Sequence, residues 1–305
     1  MNREANMTAY PNLKQLSDER AGLIQSVAPR VGAVILGRRR VVSGIRWRDD
    51  LMITAAEALS GAEDVNIRVE NRDVSAQVLA TDLGTDIAVL RVPDLAPAVG
   101  GFSTEALRVG ETVALVGGDE RGAAAVWGNV RFAGPAWTSR RGGTIGRRLE
   151  LDVRFDPVFE GAAIVDMNGT ITGMAVPGPF RRVLGIPAET IERVVALVEK
   201  HGQLPQPYIG VRLQSLWLDE ATRTQLGRNA RAIAAVSGVD PESPAAAAHI
   251  ELGDLLLTVN GAPADSLALV QRIANLTPGQ EIELEVLRGG QPHQVRVRVG
   301  ERPHR

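Results

Sequence analysis

Short apolar runs of strand length recur along the first 200 residues of this chain, separated by clusters of glycine, aspartate and arginine. Eight runs share this form: residues 31–36, 41–47, 51–56, 65–70, 74–80, 87–92, 112–117 and 171–176. Many short strands at close spacing, with little helix between them, are typical of β-barrels and β-sandwiches. The sequence therefore predicts a mainly β protein over this part of the chain.

Two segments interrupt the β pattern with helical spacing. Residues 12–28 carry apolar side chains three and four positions apart and are followed by Pro29. We therefore predict a short amphipathic helix within an N-terminal helical segment, residues 1–30. Residues 187–200 begin with proline, carry glutamates in the first turns and stop just before Gly202. These are start and stop signals of a second helix.

The last third of the chain follows a proline-rich linker at residues 203–207. Strand-like runs alternate there with two predicted helices, at about residues 244–249 and 266–276. Asn260-Gly261 is a strong hairpin signal, because both residues accept positive φ. The pattern predicts a compact α+β module over residues 207–300.

This module resembles a PDZ domain of the bacterial type. Tyr208, Ile209, Gly210 and Val211 resemble the loop that binds a peptide carboxylate in such domains. There, successive backbone N–H groups hold the peptide C-terminus while the peptide adds a strand to the sheet edge. The resemblance implies that peptide or protein C-termini are the partners of this module.

Four segments of the first 200 residues are collinear with the trypsin-like domain of the HtrA/Deg family. They are TDLGTDIAVLRV (81–92), LRVGETVALVGG (107–118), VDMNGTITGMAV (165–176) and VLGIPAETIERVVALVEKHGQ (183–203). A trypsin-like domain followed by a PDZ domain is the arrangement of that family. The resemblance implies a double six-stranded β-barrel over residues 31–202, with the small α+β PDZ domain after it. It also implies assembly as a homo-trimer.

The same resemblance identifies the three catalytic positions. Residues 53–56 read ITAA, and Glu57 then occupies the place of the family's histidine base. Asp86 occupies the aspartate position. The family's Gly-Asn-Ser-Gly-Gly-Pro motif is replaced by VFEGAA at residues 158–163, which puts Glu160 at the nucleophile. Residues 1–200 contain no histidine and no cysteine.

These replacements remove the parts that serine proteolysis needs. A glutamate has no hydroxyl to activate, and the triad needs a base whose pKa lies near neutrality. Val158 and Phe159 make positive φ costly, so we expect the oxyanion hole to collapse. The sequence predicts a catalytically inactive protein that binds C-termini through its PDZ groove. It would act as a scaffold, adaptor or regulator in protein quality control.

Two other functions stay open. The chain could be an active serine endopeptidase whose nucleophile the motif comparison misses, or a regulatory subunit that co-assembles with an active paralogue. The three carboxylates Glu57, Asp86 and Glu160 have the oxygen ligands of a hard-cation site, but glutamates that face solvent explain them as well. We expect no metal and no cofactor. The arginines at residues 38–40 are interpreted as a solvated turn.

The composition limits the kinds of partner, metal site and cellular location that this chain can have. The formal net charge is −2, which gives no reason to expect nucleic acid as a partner. The chain has no cysteine, so disulfides and thiolate metal sites are excluded. No apolar run reaches about 18 residues, and the N-terminus lacks the apolar core of a signal peptide. We therefore expect a cytoplasmic protein without a membrane segment, or a periplasmic one if the assigned start is wrong.

Overall fold

The computed structural model describes residues 11–37, 40–59, 62, 64–70, 72–93, 100–139, 141–202, 204, 207–225, 231–264, 276 and 278–301. The chain divides into two compact units. The barrel unit comprises Met1–Thr81, Asp86–Pro135 and Gly146–Val195, and the PDZ unit comprises Asp82–Thr85, Ala136–Ile145 and Ala196–Arg305. The helix predicted at residues 266–276 lies almost entirely outside the described residues, as does most of the linker at residues 203–207.

Within the described residues the α-helices are α1 (Pro11–Val27), α2 (Ala56–Leu59), α3 (Ala188–His201), α4 (Glu220–Gln225) and α5 (Pro244–Ala247). Helices α1 and α3 lie where the sequence predicts them, each within one residue at both ends. Helix α5 covers the first part of the predicted segment 244–249. None of the helices in the described ranges is long and apolar enough to cross a membrane.

The first six strands close into a barrel in the order β1-β2-β3-β6-β5-β4, with β1 paired to β4. They are β1 (Val31–Leu36), β2 (Arg40–Arg48), β3 (Leu51–Thr54), β4 (Asp64–Val69), β5 (Arg72–Asp82) and β6 (Ile87–Arg91). Strand β4 alternates exposed and buried side chains, as expected for a strand with one face on the core. Each of these strands corresponds to one predicted run.

A second closed barrel follows, in the order β11-β14-β13-β12-β7-β8. The strands from β7 onward are β7 (Thr112–Asp119), β8 (Gly122–Gly134), β9 (Trp137–Thr138), β10 (Thr144–Ile145), β11 (Arg148–Arg154), β12 (Ala163–Val165), β13 (Ile171–Pro177) and β14 (Arg182–Pro187). Strands β9 and β10 form a separate two-stranded sheet. The double six-stranded barrel inferred from the resemblance is confirmed.

The two barrels are in backbone contact where β1 passes β7. A Cβ atom added at Gly118 in β7 would lie 2.0 Å from the carbonyl carbon of Gly32 in β1. This approach leaves no space for a side chain, which explains a glycine at this buried position near the end of β7. The close contact packs β1 of the first barrel directly against β7 of the second.

The PDZ unit contains a sheet in the order β16-β17-β18-β20-β21, with β19 paired to β18. Its strands, with the two that pair separately, are β15 (Pro207–Tyr208), β16 (Val211–Trp217), β17 (Ala232–Val239), β18 (Leu255–Val259), β19 (Ala262–Pro263), β20 (Glu281–Arg288), β21 (Gln291–Arg298) and β22 (Gly300–Glu301). Leu256, Leu284 and Val297 are fully buried in its core. The fold is mainly β, as predicted.

Candidate functional site

Three separate segments of the barrel unit carry the predicted triad positions. Glu57 lies in the first turn of α2, directly after β3. Asp86 lies in the turn between β5 and β6, and Glu160 follows the 3₁₀ turn Pro157–Phe159. The Oδ1 atom of Asp86 accepts a hydrogen bond of 2.8 Å from the backbone N–H of Glu57, and its carbonyl oxygen accepts one of 3.3 Å from Ala56. The structure thus joins the base and aspartate positions directly.

Asp86 has an unusual protonation equilibrium. Burial raises the pKa of its carboxyl group to about 7, and repulsion from the charges of Glu57 and Glu160 adds to this. The hydrogen bond from the N–H of Glu57 acts in the opposite direction. Asp86 also has φ of +58°, a conformation that aspartate tolerates better than most residues. At neutral pH, protonated and ionised forms of this carboxyl group are therefore both populated.

We predict that the Asp86→Asn variant removes a pH-dependent part of the stability. The folded protein holds this proton more tightly than the unfolded chain, where an aspartate pKa is about 3.9. Through this group the free energy of unfolding should fall by at most about 1.4 kcal/mol per pH unit from about pH 4 to about pH 7, and level off above. Urea unfolding at pH 5 and pH 8 measures it. An equal difference between the two pH values in wild type and variant would contradict the assignment.

Glu160 is a buried carboxylate with a cationic partner. Its side chain is 7% exposed, and its Oε2 atom lies 3.0 Å from the Nη2 atom of Arg40 at the start of β2. Arg40 also donates to the carbonyl oxygen of Ala58 at 3.4 Å. Arg40 remains 47% exposed, and residues 38 and 39 lie outside the described residues, so the structure adds a partner for Arg40 that the interpretation as a solvated turn did not include. Its partner lies 120 residues along the chain, and no local pattern marks such a pair.

The salt bridge weakens the hypothesis that Glu57, Asp86 and Glu160 bind a cation. A guanidinium group already balances the charge of Glu160, so the cluster has less need of a metal ion. Among the described ranges, no group of three or more histidine, cysteine, aspartate or glutamate side chains is arranged to hold a metal. The geometry thus pairs the predicted nucleophile position, Glu160, with a cationic side chain.

The loop that would form the oxyanion hole uses its N–H groups internally. Val158 donates its N–H to Oδ1 of Asp156 at 3.1 Å, and Glu160 donates its own to the carbonyl oxygen of Pro157 at 3.1 Å. A hole needs two such N–H groups aimed at one external oxygen. The 3₁₀ turn bonds both N–H groups within the loop, so in this arrangement neither is aimed at an external oxygen. Of residues 158–163, only Gly161 has positive φ.

Ser43 in β2 of the first barrel forms hydrogen bonds with this loop and with β7 of the second barrel. Its N–H donates to the carbonyl oxygen of Glu160 at 2.7 Å, and its Oγ atom donates to that of Val158 at 2.5 Å. The same Oγ atom accepts from the N–H of Gly118 at 3.0 Å. Ser43 is fully buried, and its hydroxyl is committed to two backbone groups. It is a structural residue and offers no accessible nucleophile.

In the PDZ unit, the predicted carboxylate-binding loop is held in a specific shape. Gly210 has φ of +81°, and an added Cβ atom would lie 2.2 Å from the Cβ atom of Ser243. The buried Ile209 accepts a hydrogen bond from the N–H of Ala245 at 2.8 Å. The hydroxyl of Tyr208 donates to Asp240 at 2.7 Å. Only glycine fits at position 210, so the loop sequence is explained by this geometry.

Comparisons with known proteins agree with these two units. A family model described as a trypsin-like peptidase domain matches residues 42–174, and one described as a PDZ domain matches residues 207–299. A probable periplasmic serine endoprotease, DegP-like, of Halomonas elongata is 27% identical over 87% of this chain. The protein of that name in Pseudomonas savastanoi pv. phaseolicola is 29% identical over 84%. These matches cover 57% and 54% of the two relatives, so the chain spans little more than half their length.

Solved structures show the same architecture. The HtrA-type protease AlgW with a decapeptide superposes with a TM-score of 0.67 at 23% identity, over 93% of this chain and 99% of that one. The serine endoprotease from Yersinia pestis gives a TM-score of 0.66 at 23% identity, over 93% and 98%. At these identities the likeness shows the fold alone.

Proposed function

Because this chain belongs to the HtrA family, which joins a trypsin-like domain to a PDZ domain, we propose that it binds C-termini without cleaving them. The PDZ domain would bind the C-termini of peptides or proteins. The site at positions 57, 86 and 160 of the trypsin-like domain would not catalyse the cleavage of peptide bonds. One observation carries the second part: the buried carboxylate of Glu160, paired with Arg40, stands where the nucleophile is expected.

The chemistry of the pocket supports this proposal. Acyl transfer needs a nucleophile, a base and N–H donors for the developing oxyanion. Glu160 supplies no hydroxyl, and the N–H groups of Val158 and Glu160 are already bonded within the loop. Loss of a triad member alone removes roughly 10⁴-fold or more of the rate. Here two members are replaced, and the donors are occupied.

The second candidate is an active serine endopeptidase that uses a serine elsewhere. The names of the relatives favour it, because both are called serine endoproteases. A regulatory subunit that co-assembles with an active paralogue is a further alternative. Assembly as a homo-trimer is what the resemblance to the family implies. The relatives are also named periplasmic, which favours the periplasmic alternative over the cytoplasmic one.

We expect the protein to bind a subset of peptides from a library with free C-terminal carboxylates and to leave the bound peptides intact. Amidation of the C-terminus should weaken binding at least about tenfold, because it removes a charged hydrogen-bond acceptor worth about 1.5–3 kcal/mol. Fluorescence polarisation measures affinity, and mass spectrometry after overnight incubation measures cleavage. The amidated peptide is the matched control for each sequence. Equal affinity of the free and amidated forms contradicts the binding proposal, and cleavage contradicts inactivity.

A further inference from the structure

The edge strand of the PDZ domain, β16, ends with an exposed tryptophan. Trp217 is the last residue of β16, and 80% of its side chain is exposed. Within the described part of the chain, β17 is the only strand paired with β16, and no ring or arginine stacks on the indole. A large aromatic side chain on an open strand edge is an unusual exposure of apolar surface.

The alternation of β16 places Trp217 on a definite face. Val211 and Leu213 pack against the PDZ core, so odd-numbered residues of the strand point towards that side. The register shift between Arg212 and Leu213 leaves the extra residue on β17, and β16 therefore keeps a regular alternation. Trp217 thus shares the face of Val211 and Leu213, whereas Leu216, which is 40% exposed, points to the opposite face.

The direction of a bound peptide follows from the position of the loop. The carboxylate-binding loop, Tyr208 to Val211, lies at the beginning of β16. A peptide whose C-terminus is held there can pair with β16 only by running antiparallel to it, towards Trp217. From Val211 to Trp217 the strand advances six residues, roughly 20 Å at about 3.3 Å per residue. The peptide residue opposite Trp217 is therefore the sixth before the last.

We propose that Trp217 forms a distal subsite, through which this PDZ domain selects C-terminal segments of seven residues with an apolar or aromatic side chain at the first. Direct cross-strand neighbours point to the same face, so that side chain would meet the indole ring. Aromatic pairs add affinity beyond the area that they bury. This inference rests on the proposed function and names the class of ligand for the same site.

The test uses three peptides that end in one tetrapeptide, taken from the strongest binder in the free-carboxylate library. The first is the tetrapeptide alone. The second carries Ala-Ala-Ala before the N-terminus of the tetrapeptide, and the third carries Phe-Ala-Ala there. We expect the phenylalanine peptide to bind about five- to tenfold more tightly than the alanine peptide. In Trp217→Ala this ratio should fall to about one, while the affinity for the tetrapeptide stays unchanged. Leu216→Ala, on the opposite face of the same strand, should keep the full ratio.

The outcomes separate the two proposals. If the tetrapeptide binds but wild type gives a ratio near one, the distal subsite is wrong and peptide binding stands. A full ratio in Trp217→Ala, or a lost ratio in Leu216→Ala, also overturns the assignment to Trp217. If no library peptide binds, the proposed function fails, and the subsite that rests on it fails as well. Both variants change exposed side chains, so neither should alter stability by more than about 0.5 kcal/mol.

Discussion

The double variant Glu57→His/Glu160→Ser is expected to remain unlabelled by a serine-reactive fluorophosphonate and to leave casein uncut, like the unmodified protein. The two changes place a histidine and a serine hydroxyl at the predicted base and nucleophile positions. They do not free the N–H groups of Val158 and residue 160, which the 3₁₀ turn holds. Loss of one oxyanion donor costs roughly 10²- to 10³-fold in kcat, so two occupied donors should keep the rate near background.

This experiment also decides between the two candidate functions. An active HtrA protease serves as the reference for reagent and substrate, and circular dichroism verifies that each variant is folded. Labelling of the double variant would show that the loop rearranges readily and that side-chain identity alone had removed the activity. Labelling of the unmodified protein, abolished by replacing one serine, would establish the active endopeptidase in place of our proposal.

The Gly161→Ala variant is expected to lose about 4 kcal/mol or more of the free energy of unfolding of the barrel unit. Gly161 has φ of +81°, which costs roughly 1–2 kcal/mol for a residue with a Cβ atom. The added atom would also lie 2.2 Å from the carbonyl oxygen of Ser43 and 2.8 Å from the Oγ1 atom of Thr54. Because the first of these is backbone, relief requires a shift of β2 against the loop.

Gly169→Ala is the matched control for this variant. Gly169 has nearly the same φ, +78°, but the nearest atom to its added Cβ is the Oγ atom of Ser26 at 3.7 Å. It should lose only the backbone cost, about 1–2 kcal/mol. Urea unfolding followed by near-ultraviolet circular dichroism compares the two variants. Losses of equal size in both would show that the loop is not packed against β2 as the structure has it.

The sequence predicted the strands and helices that carry their own local signal. Short runs with strong alternation, such as β4, and the capped helix α3 were recognisable from residue order alone. Strand β8 was missed, because its alanines and glycines give weak hydrophobic alternation. The assignment of Glu57, Asp86 and Glu160 to triad positions rests only on flanking segments that are collinear with the family pattern.

Features that depend on distant partners could not be predicted. The bond between Arg40 and Glu160 joins residues 120 positions apart, and its geometry exists only after both barrels close. The state of the oxyanion loop was predicted from the φ preferences of Val158 and Phe159. In the structure the N–H groups of Val158 and Glu160 donate to Asp156 and Pro157, and φ preferences do not indicate these bonds. Residue identity does not reveal these acceptors, because only the folded loop brings them within hydrogen-bonding distance.

The hydrogen bonds of Ser43 also distinguish two kinds of change in the loop that contains Val158 and Glu160. Ser43 binds the backbone of Val158, Glu160 and Gly118 and makes no use of the side chain at position 160. Substitutions of that side chain remove its salt bridge to Arg40 but leave the backbone hydrogen bonds of Ser43 in place. A change that moves the loop backbone would instead loosen both barrels at once. Side-chain substitutions at position 160 and movements of the loop backbone should therefore differ in how strongly they destabilise the barrel unit.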